Sequence, residues 1–337
     1  MVYATMVSLV CLHAVMPVMG GTTFDAVKTR GVLTCGVHTG LYGFGAPDRK
    51  GVWNGLDVDI CRAVAAAVFG NASKVRFVPL STQQRLTALQ SGEIDLLSRN
   101  TSWTLARDSA SGLNFAAVTY YDGQGFMVEK ALGVESARQL DGATICVLQG
   151  TTTELNLADY FRANKMRFKP VTIEKLEELV SAFVAGRCDA QTADVSQLAS
   201  IRANDLENPD DYIILPEIIS KEPLAPAVRH GDDQWLDIVK WTLFAMIEAE
   251  EKGITTANVD RFLNSADPTV RRLLGVIPGM GKNLGLDEKW AYDIIKQVGH
   301  YGEVFERNVG MKSRLKLKRG MNALWTEGGL MYAPPIR

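Results

Sequence analysis

At 337 residues, with 47% hydrophobic and 22% charged residues, the chain has an ordinary globular composition and length enough for two domains, which excludes a disordered or collagen-like protein. A formal net charge of -2 provides no concentrated basic face for nucleic acid. The expected partner is a small molecule or another protein.

The first predicted element is an apolar run at residues 6–19, broken by His13 and Pro17, which is short for a membrane span and suits the hydrophobic part of a signal peptide. Residues 1–20 are read as an export signal, although no Lys or Arg precedes the run and Val18-Met19-Gly20 is a loose small-x-small cleavage site. Cys11 follows Leu9 and Val10, where a lipoprotein signal wants a small residue, which argues against a lipid anchor. No later stretch is apolar for long enough to cross a bilayer.

Residues 31–37 (GVLTCGV) read as a buried strand, and residues 56–69 follow as a helix with Leu56, Ile60, Ala63, Val64, Ala67 and Val68 on one face. Between them, Gly40-Leu41-Tyr42-Gly43-Phe44-Gly45 invites a dinucleotide-binding reading. That fingerprint must open a helix, whereas Pro47-Asp48 and Gly51 continue the loop, so Tyr42 and Phe44 are expected to form an aromatic lip over a cleft. A helix at 82–91 stops at Gly92, and 94–97 is a short apolar strand. The pattern is α/β with a largely parallel sheet.

A second series resembles the first: a strand at 143–148, a turn at Gly150, and a helix at 173–185 ending in Gly186-Arg187-Cys188-Asp189, comparable to Gly92-Glu93-Ile94-Asp95. Each series ends in a polar cluster, Ser98-Arg99-Asn100-Thr101-Ser102 and Gln191-Thr192-Ala193-Asp194. Two lobes of similar plan place these clusters opposite each other, and open α/β sheets bind ligands beyond the carboxyl ends of their strands, so the interlobe cleft is the expected site. Residues 120–125 read as the first crossing between lobes, and residues 217–226, with two prolines, as the return. A strong helix at 235–251 should pack back on the first lobe. The tail from residue 258 reads as helices and turns, with the basic run 312–319 as a solvated helix face.

Catalytic constellations are missing. There is no GxSxG elbow and no HExxH; His13, His38, His230 and His300 lie too far apart for local metal-ligand spacing, and Gly281-Lys282 lacks the Ser or Thr of a phosphate loop and reads as a turn. Neither a metal nor a cofactor is expected. Leaving out Cys11, Cys35, Cys61, Cys146 and Cys188 are compatible with two disulfides or with four buried thiols; spacing leaves both open, and an export signal favours bridges.

The stretches GLDVDICRAVAAAVFG, STQQRLTALQSGEIDLLSRNTSWTLARD, YYDGQGFMVEK, GTTTELNLADYF and GRCDAQTAD, in this order, resemble the family 3 amino-acid-binding proteins of polar amino-acid ABC importers. The tail, with LGLDEKWAYDIIKQVGHYGEVFERNVG and LWTEGGLMYAPPIR, is similar to their general L-amino-acid branch, which binds glutamate, glutamine, aspartate and asparagine. The resemblance implies a periplasmic, monomeric, non-enzymatic protein of the type II periplasmic binding fold that delivers its ligand to a transmembrane permease. It divides the chain into residues 21–121 and 222–257 as lobe 1, 122–221 as lobe 2, and 258–337 as a C-terminal helical extension. A hinge that opens and closes disfavours cross-lobe bridges, so the expected pairs are Cys35 with Cys61 and Cys146 with Cys188.

By the same resemblance Arg107 matches the arginine that holds the ligand's carboxylate bidentately. The bland reading is a surface ion pair, but Arg107 falls in the first turn of a helix capped by Thr104, where a cation opposes the macrodipole, and such a broken local rule favours function. Asn100 and Ser102 match positions that offer a carbonyl and a hydroxyl. Thr152 matches a backbone N–H donor to the carboxylate, against an ordinary threonine cap. Asp194 matches the acid that takes the ammonium, against a capping box with Gln197. Thr82 and Arg85 match contacts to the ligand side chain in acidic-amino-acid binders, Arg99 lies beside the site, and His38 stands where such binders carry arginine. Trp103 and Tyr121 are candidates for the cleft wall or the core. The competing class is an exported arogenate or prephenate dehydratase on the same scaffold, which needs a further acid or base in the cleft.

Overall fold

Leu33–His38 buries all 6 of its residues, as a strand covered on both faces does. In the computed structural model, which describes residues 23–337, this strand runs parallel to Val75–Leu80 on one side and to Leu96–Leu97 on the other. Ala227–Arg229 and Leu113–Phe115 complete a five-stranded sheet with antiparallel pairing. The expected export signal lies outside the described residues.

A second five-stranded sheet repeats the plan. Thr144–Leu148 is flanked in parallel by Lys169–Ile173 and Ala190–Asp194, and Gln124–Glu129 and Tyr212–Ile214 follow antiparallel. In both sheets the fourth strand arrives from the other lobe, Gln124–Glu129 after Tyr120–Asp122 and Ala227–Arg229 after Glu222–Leu224. These two crossing segments pair antiparallel with each other and form the hinge. The carboxyl ends of the parallel strands from both sheets consequently face one cleft.

The helix Leu56–Phe69 is buried nearly all round, with Ala63, Ala65, Ala66 and Ala67 allowing close approach, because Asp233–Glu251 and Trp290–Gln297 pack over it. The one-sided amphipathic helix expected from the spacing is therefore a core helix; its outer face is covered by elements far along the chain, Asp233–Glu251 and Trp290–Gln297. Cys61 of this helix is bonded to Cys35 of the first strand, with 6.2 Å between Cα atoms, and Cys146 is bonded to Cys188 in the second lobe at 5.6 Å. Both cysteine pairs are the expected ones.

Several local expectations change. Lys169–Ile173 is a strand, so the helix expected at 173–185 begins only at Leu176; Arg85–Ser91 likewise begins three residues late, after a turn. Phe44 is fully buried, stacked edge-on to Tyr120, so of the aromatic lip only Tyr42 reaches the surface. Residues 280–284 form the short helix Met280–Leu284 where a turn was expected. The basic run 312–319 is an irregular turn, not a helix: residues 312–315 turn and bend, Lys316 takes a left-handed φ of 49°, and Leu315 and Leu317 pack inward while Lys312, Arg314, Lys316 and Lys318 stay exposed. Arg319 ends it by pairing with Glu250 at 2.8 and 3.3 Å and lying over the Phe305 and Tyr301 rings.

Candidate functional site

The strand Leu96–Leu97 ends in Ser98–Ser102, which is pulled out of sheet geometry by Asp57. The Asp57 carboxylate accepts the Asn100 N–H at 2.7 Å and the Ser98 hydroxyl at 3.4 Å, and Asn100 takes a left-handed φ of 25°. Burial pushes Asp57 up to about 6, opposed by these bonds and by Arg99. From lobe 2, Ala190–Asp194 ends in Asp194, and Thr152 opens the helix Thr152–Ala163.

Eight of the nine residues named from sequence, His38, Thr82, Arg85, Arg99, Asn100, Ser102, Thr152 and Asp194, line one chamber between the lobes, together with Leu148, Thr151, Thr153, Ala193 and Gln197. The chamber encloses about 380 Å³ of empty space, counting what opens to solvent. Arg107 stands behind it: its Nη1 donates to the Ser102 carbonyl at 2.9 Å, and its backbone N–H is capped by Thr104. Trp103 stacks on Phe115 and Tyr121 is tied to Asn322, so neither lines the chamber.

The walls carry opposite charge. Arg85 and Arg99, 3% and 2% exposed, come from lobe 1. Arg99 is anchored by Nε to the Leu80 carbonyl at 2.8 Å and is held down to about 9 by burial, still cationic at neutral pH. Arg85 donates from Nη1 to Thr101 at 3.3 Å, and its buried Nε has no partner. Burial, then Arg99 and Arg107, hold Arg85 well below the usual arginine range. Asp194 faces them from lobe 2; burial, Asp122 and Glu222 push it well above the usual carboxylate range, and Arg85 and Arg107 pull it back. Asp194 makes no side-chain cap to its helix, so the capping box with Gln197 does not form. Thr151, not Thr152, caps the helix Thr152–Ala163, and the Thr152 hydroxyl donates instead to Glu222 at 2.9 Å.

Sequence reasoning missed Glu222. This hinge carboxylate, 1% exposed, accepts from Ser102 Oγ, Thr152 Oγ1, Asn156 Nδ2 and Ser220 Oγ, joining both lobes at the hinge. Four donors fill its two oxygens. Nothing near it in the chain separates it from the surface acid Glu217 five residues before. Direct contacts also cross the cleft from Thr82 Oγ1 to the Gln149 carbonyl and from Ser200 Oγ to the Tyr42 carbonyl, at 3.0 and 2.8 Å. The lobes are closed on each other.

Two hinged lobes closing on a chamber with buried cations on one wall and a buried acid on the other define a binding protein that folds around its ligand. The chain belongs to the bacterial extracellular solute-binding proteins, family 3, whose model matches residues 33–255. It is 60% identical over 318 residues to the general L-amino acid-binding periplasmic protein AapJ of Rhizobium johnstonii, covering 94% of this chain and 93% of that one. It is 57% identical over 317 residues to the glutamate/glutamine/aspartate/asparagine-binding protein BztA of Rhodobacter capsulatus, 94% of each. A solved ABC transporter periplasmic binding protein from Brucella ovis with glutathione bound superposes with a TM-score of 0.92 at 56% identity, covering 94% of this chain and 100% of that one. The fold is that of the type II periplasmic binding proteins.

Proposed function

We propose that this protein is the periplasmic binding subunit of an ABC importer, capturing polar and acidic L-amino acids and delivering them to a membrane permease without chemical turnover. The observation that carries the reading is the charge order of the chamber, Arg85 and Arg99 on one wall and Asp194 on the other, which complements a zwitterion with a polar side chain. The N-terminus of the helix Thr152–Ala163 takes the carboxylate, with Arg107 turned in from the Ser102 carbonyl that it holds in this structure; Asp194, Asn100 and Ser102 take the ammonium; Thr82, Arg85, Arg99 and His38 meet the side chain. Residues 21–121 and 222–257 act as one lobe, 122–221 as the other, and 258–337 as an extension built onto the first. The relatives named as amino-acid-binding proteins support this, and so does the glutathione of the Brucella protein, whose γ-glutamyl end carries the same free ammonium and carboxylate. A dehydratase would need a free acid or base, and the cleft carboxylate beyond Asp194, Glu222, has its lone pairs filled by four donors. A thermal-shift screen against the twenty amino acids, followed by product analysis on arogenate, tests the reading. Stabilisation by glutamate, glutamine, aspartate and asparagine without turnover is expected; turnover of arogenate would overturn it.

A further inference from the structure

One polar group in the chamber wall has no partner in the protein. Gln197 lines the chamber and is 6% exposed, and among the described residues its carboxamide makes no hydrogen bond, not even to cap its own helix. The other polar wall residues outside the proposed pose are committed: Thr151 Oγ1 donates to the Leu148 carbonyl at 2.6 Å and shares a hydrogen bond with Thr153 Oγ1 at 2.8 Å. A primary amide so nearly withdrawn from water is costly without partners, and a ligand that supplies a donor or an acceptor removes that cost.

Its place on the helix Val195–Asn204 aligns it with the ligand's side chain. Asp194 and Gln197 are neighbours on the helix surface, and so are Gln197 and Ser200, each pair three positions apart. At one end of this row Asp194 is the acid assigned to the ammonium; at the other, Ser200 Oγ reaches the Tyr42 carbonyl, in the loop that follows His38. Gln197 stands between them, on the way from the ammonium to the groups assigned to the side chain.

Those groups are mostly donors. Arg85 has an unpartnered Nε, and Arg99 carries its guanidinium beside it. His38 Nδ1 accepts the Gly40 N–H at 3.0 Å, and burial with Arg99 and Arg85 nearby holds the ring well below the usual histidine range, which leaves Nε2–H as a donor. Asp57 lies beside Arg99 and Asp194 beside Arg85, so these cations do not demand a full negative charge from the ligand. A side-chain carboxylate takes such donors on both oxygens. A carboxamide takes them on its oxygen alone, and its NH2 needs two acceptors. Thr82 Oγ1, whose proton goes to the Gln149 carbonyl, offers one; Gln197 Oε1 offers the other.

We propose that Gln197 is the residue that lets one chamber hold both acids and amides: its NH2 donates to the side-chain carboxylate of an acidic ligand and, with the carboxamide turned over, its oxygen accepts from the NH2 of an amide ligand. The inference rests on the function proposed above and names the residue that sets its acid-to-amide preference.

Calorimetry with glutamate and glutamine at pH 8, on the parent protein and two variants of similar size, tests it. Gln197→Leu removes both hydrogen-bonding groups. Glutamine then lacks an acceptor while glutamate keeps the arginines, so the ratio of glutamate to glutamine affinity should rise at least about fivefold. Gln197→Glu offers acceptors only and sets a carboxylate against that of glutamate, so the same ratio should fall at least about tenfold. Opposite movement of the ratio is a result that a merely structural glutamine would not produce. A ratio unchanged in both variants, or moved the same way in both, would overturn this inference and leave the proposed function standing. Variants that bind neither ligand would make Gln197 a folding residue and overturn it as well. Failure of the parent protein to bind either ligand would overturn the proposed function, and this inference with it.

Discussion

Arg107 does not line the chamber yet holds the Ser102 carbonyl and carries positive charge toward Glu222 and Asp194, which partly offset the burial that holds it below the usual arginine range. Removing one partner of a desolvated charge pair costs roughly 2 to 5 kcal/mol, about tens- to thousands-fold in affinity. Arg107→Ala should therefore nearly abolish amino-acid binding in calorimetry while circular dichroism shows an intact fold; near wild-type affinity would remove its role. Arg85 tests selectivity. With its Nε unpartnered and one bond to Thr101, it has donors to spare for a side-chain carboxylate or carboxamide. Leucine leaves such donors unpaired, at roughly 1 to 3 kcal/mol each. Arg85→Ala should reduce the preference for glutamate over leucine more than it reduces leucine binding, and equal weakening of both would make Arg85 structural.

At the scale of elements, the chamber is built where a helix N-terminus meets a strand end. Asp57, in the first turn of Leu56–Phe69, accepts from Asn100 and so bends the end of Leu96–Leu97 into the cleft. Its folded pKa of about 6 lies above the ordinary aspartate value of 3.8, so the folded state binds the proton more tightly than the unfolded one. The associated stability is fully present below the unfolded value and is lost as pH rises through about 6, a change on the order of 3 kcal/mol. Asp57→Asn keeps an acceptor for the Asn100 N–H without a titrating group. Denaturant unfolding of the ligand-free variant at pH 5 and pH 7 should show a smaller fall in stability than the parent; an unchanged fall would place the titration elsewhere.

At the scale of the whole molecule, closure brings Glu222 of the hinge against Ser102 of one lobe and Thr152 and Asn156 of the other. A ligand that binds only the closed form gains whatever free energy holds that form together. Glu222→Ala leaves four donors without their acceptor, at roughly 1 to 3 kcal/mol for the set after water returns, so affinity for glutamine should fall about ten- to hundredfold. The melting temperature of the ligand-free protein should change little. A large drop in that temperature with unchanged affinity would make Glu222 a folding residue and not one of closure.

Much of the fold was legible because hydrophobic period and glycine stops are local: Gly92 ends its helix in left-handed conformation as its position foretold, and the repeated strand and helix series foretold two sheets of one plan. Arg99, Ser102 and Asp194 stood in the polar clusters that end the two series, and the resemblance to the family 3 binding proteins marked these residues and Arg85 as candidates. Other features depended on distant partners. The helix Leu56–Phe69 is buried on its far side by Trp290–Gln297, the run 312–319 is an irregular turn that lets Leu315 and Leu317 reach the core, and Glu222 differs from any surface acid only through its partners Ser102, Thr152, Asn156 and Ser220. The sequence by itself determined which segments become strands and helices and which polar clusters end them, since those choices rest on neighbours within a few turns. Only the tertiary structure decided which acid serves the hinge and what covers the helix Leu56–Phe69, because each is set by residues tens to hundreds of positions apart meeting at one place.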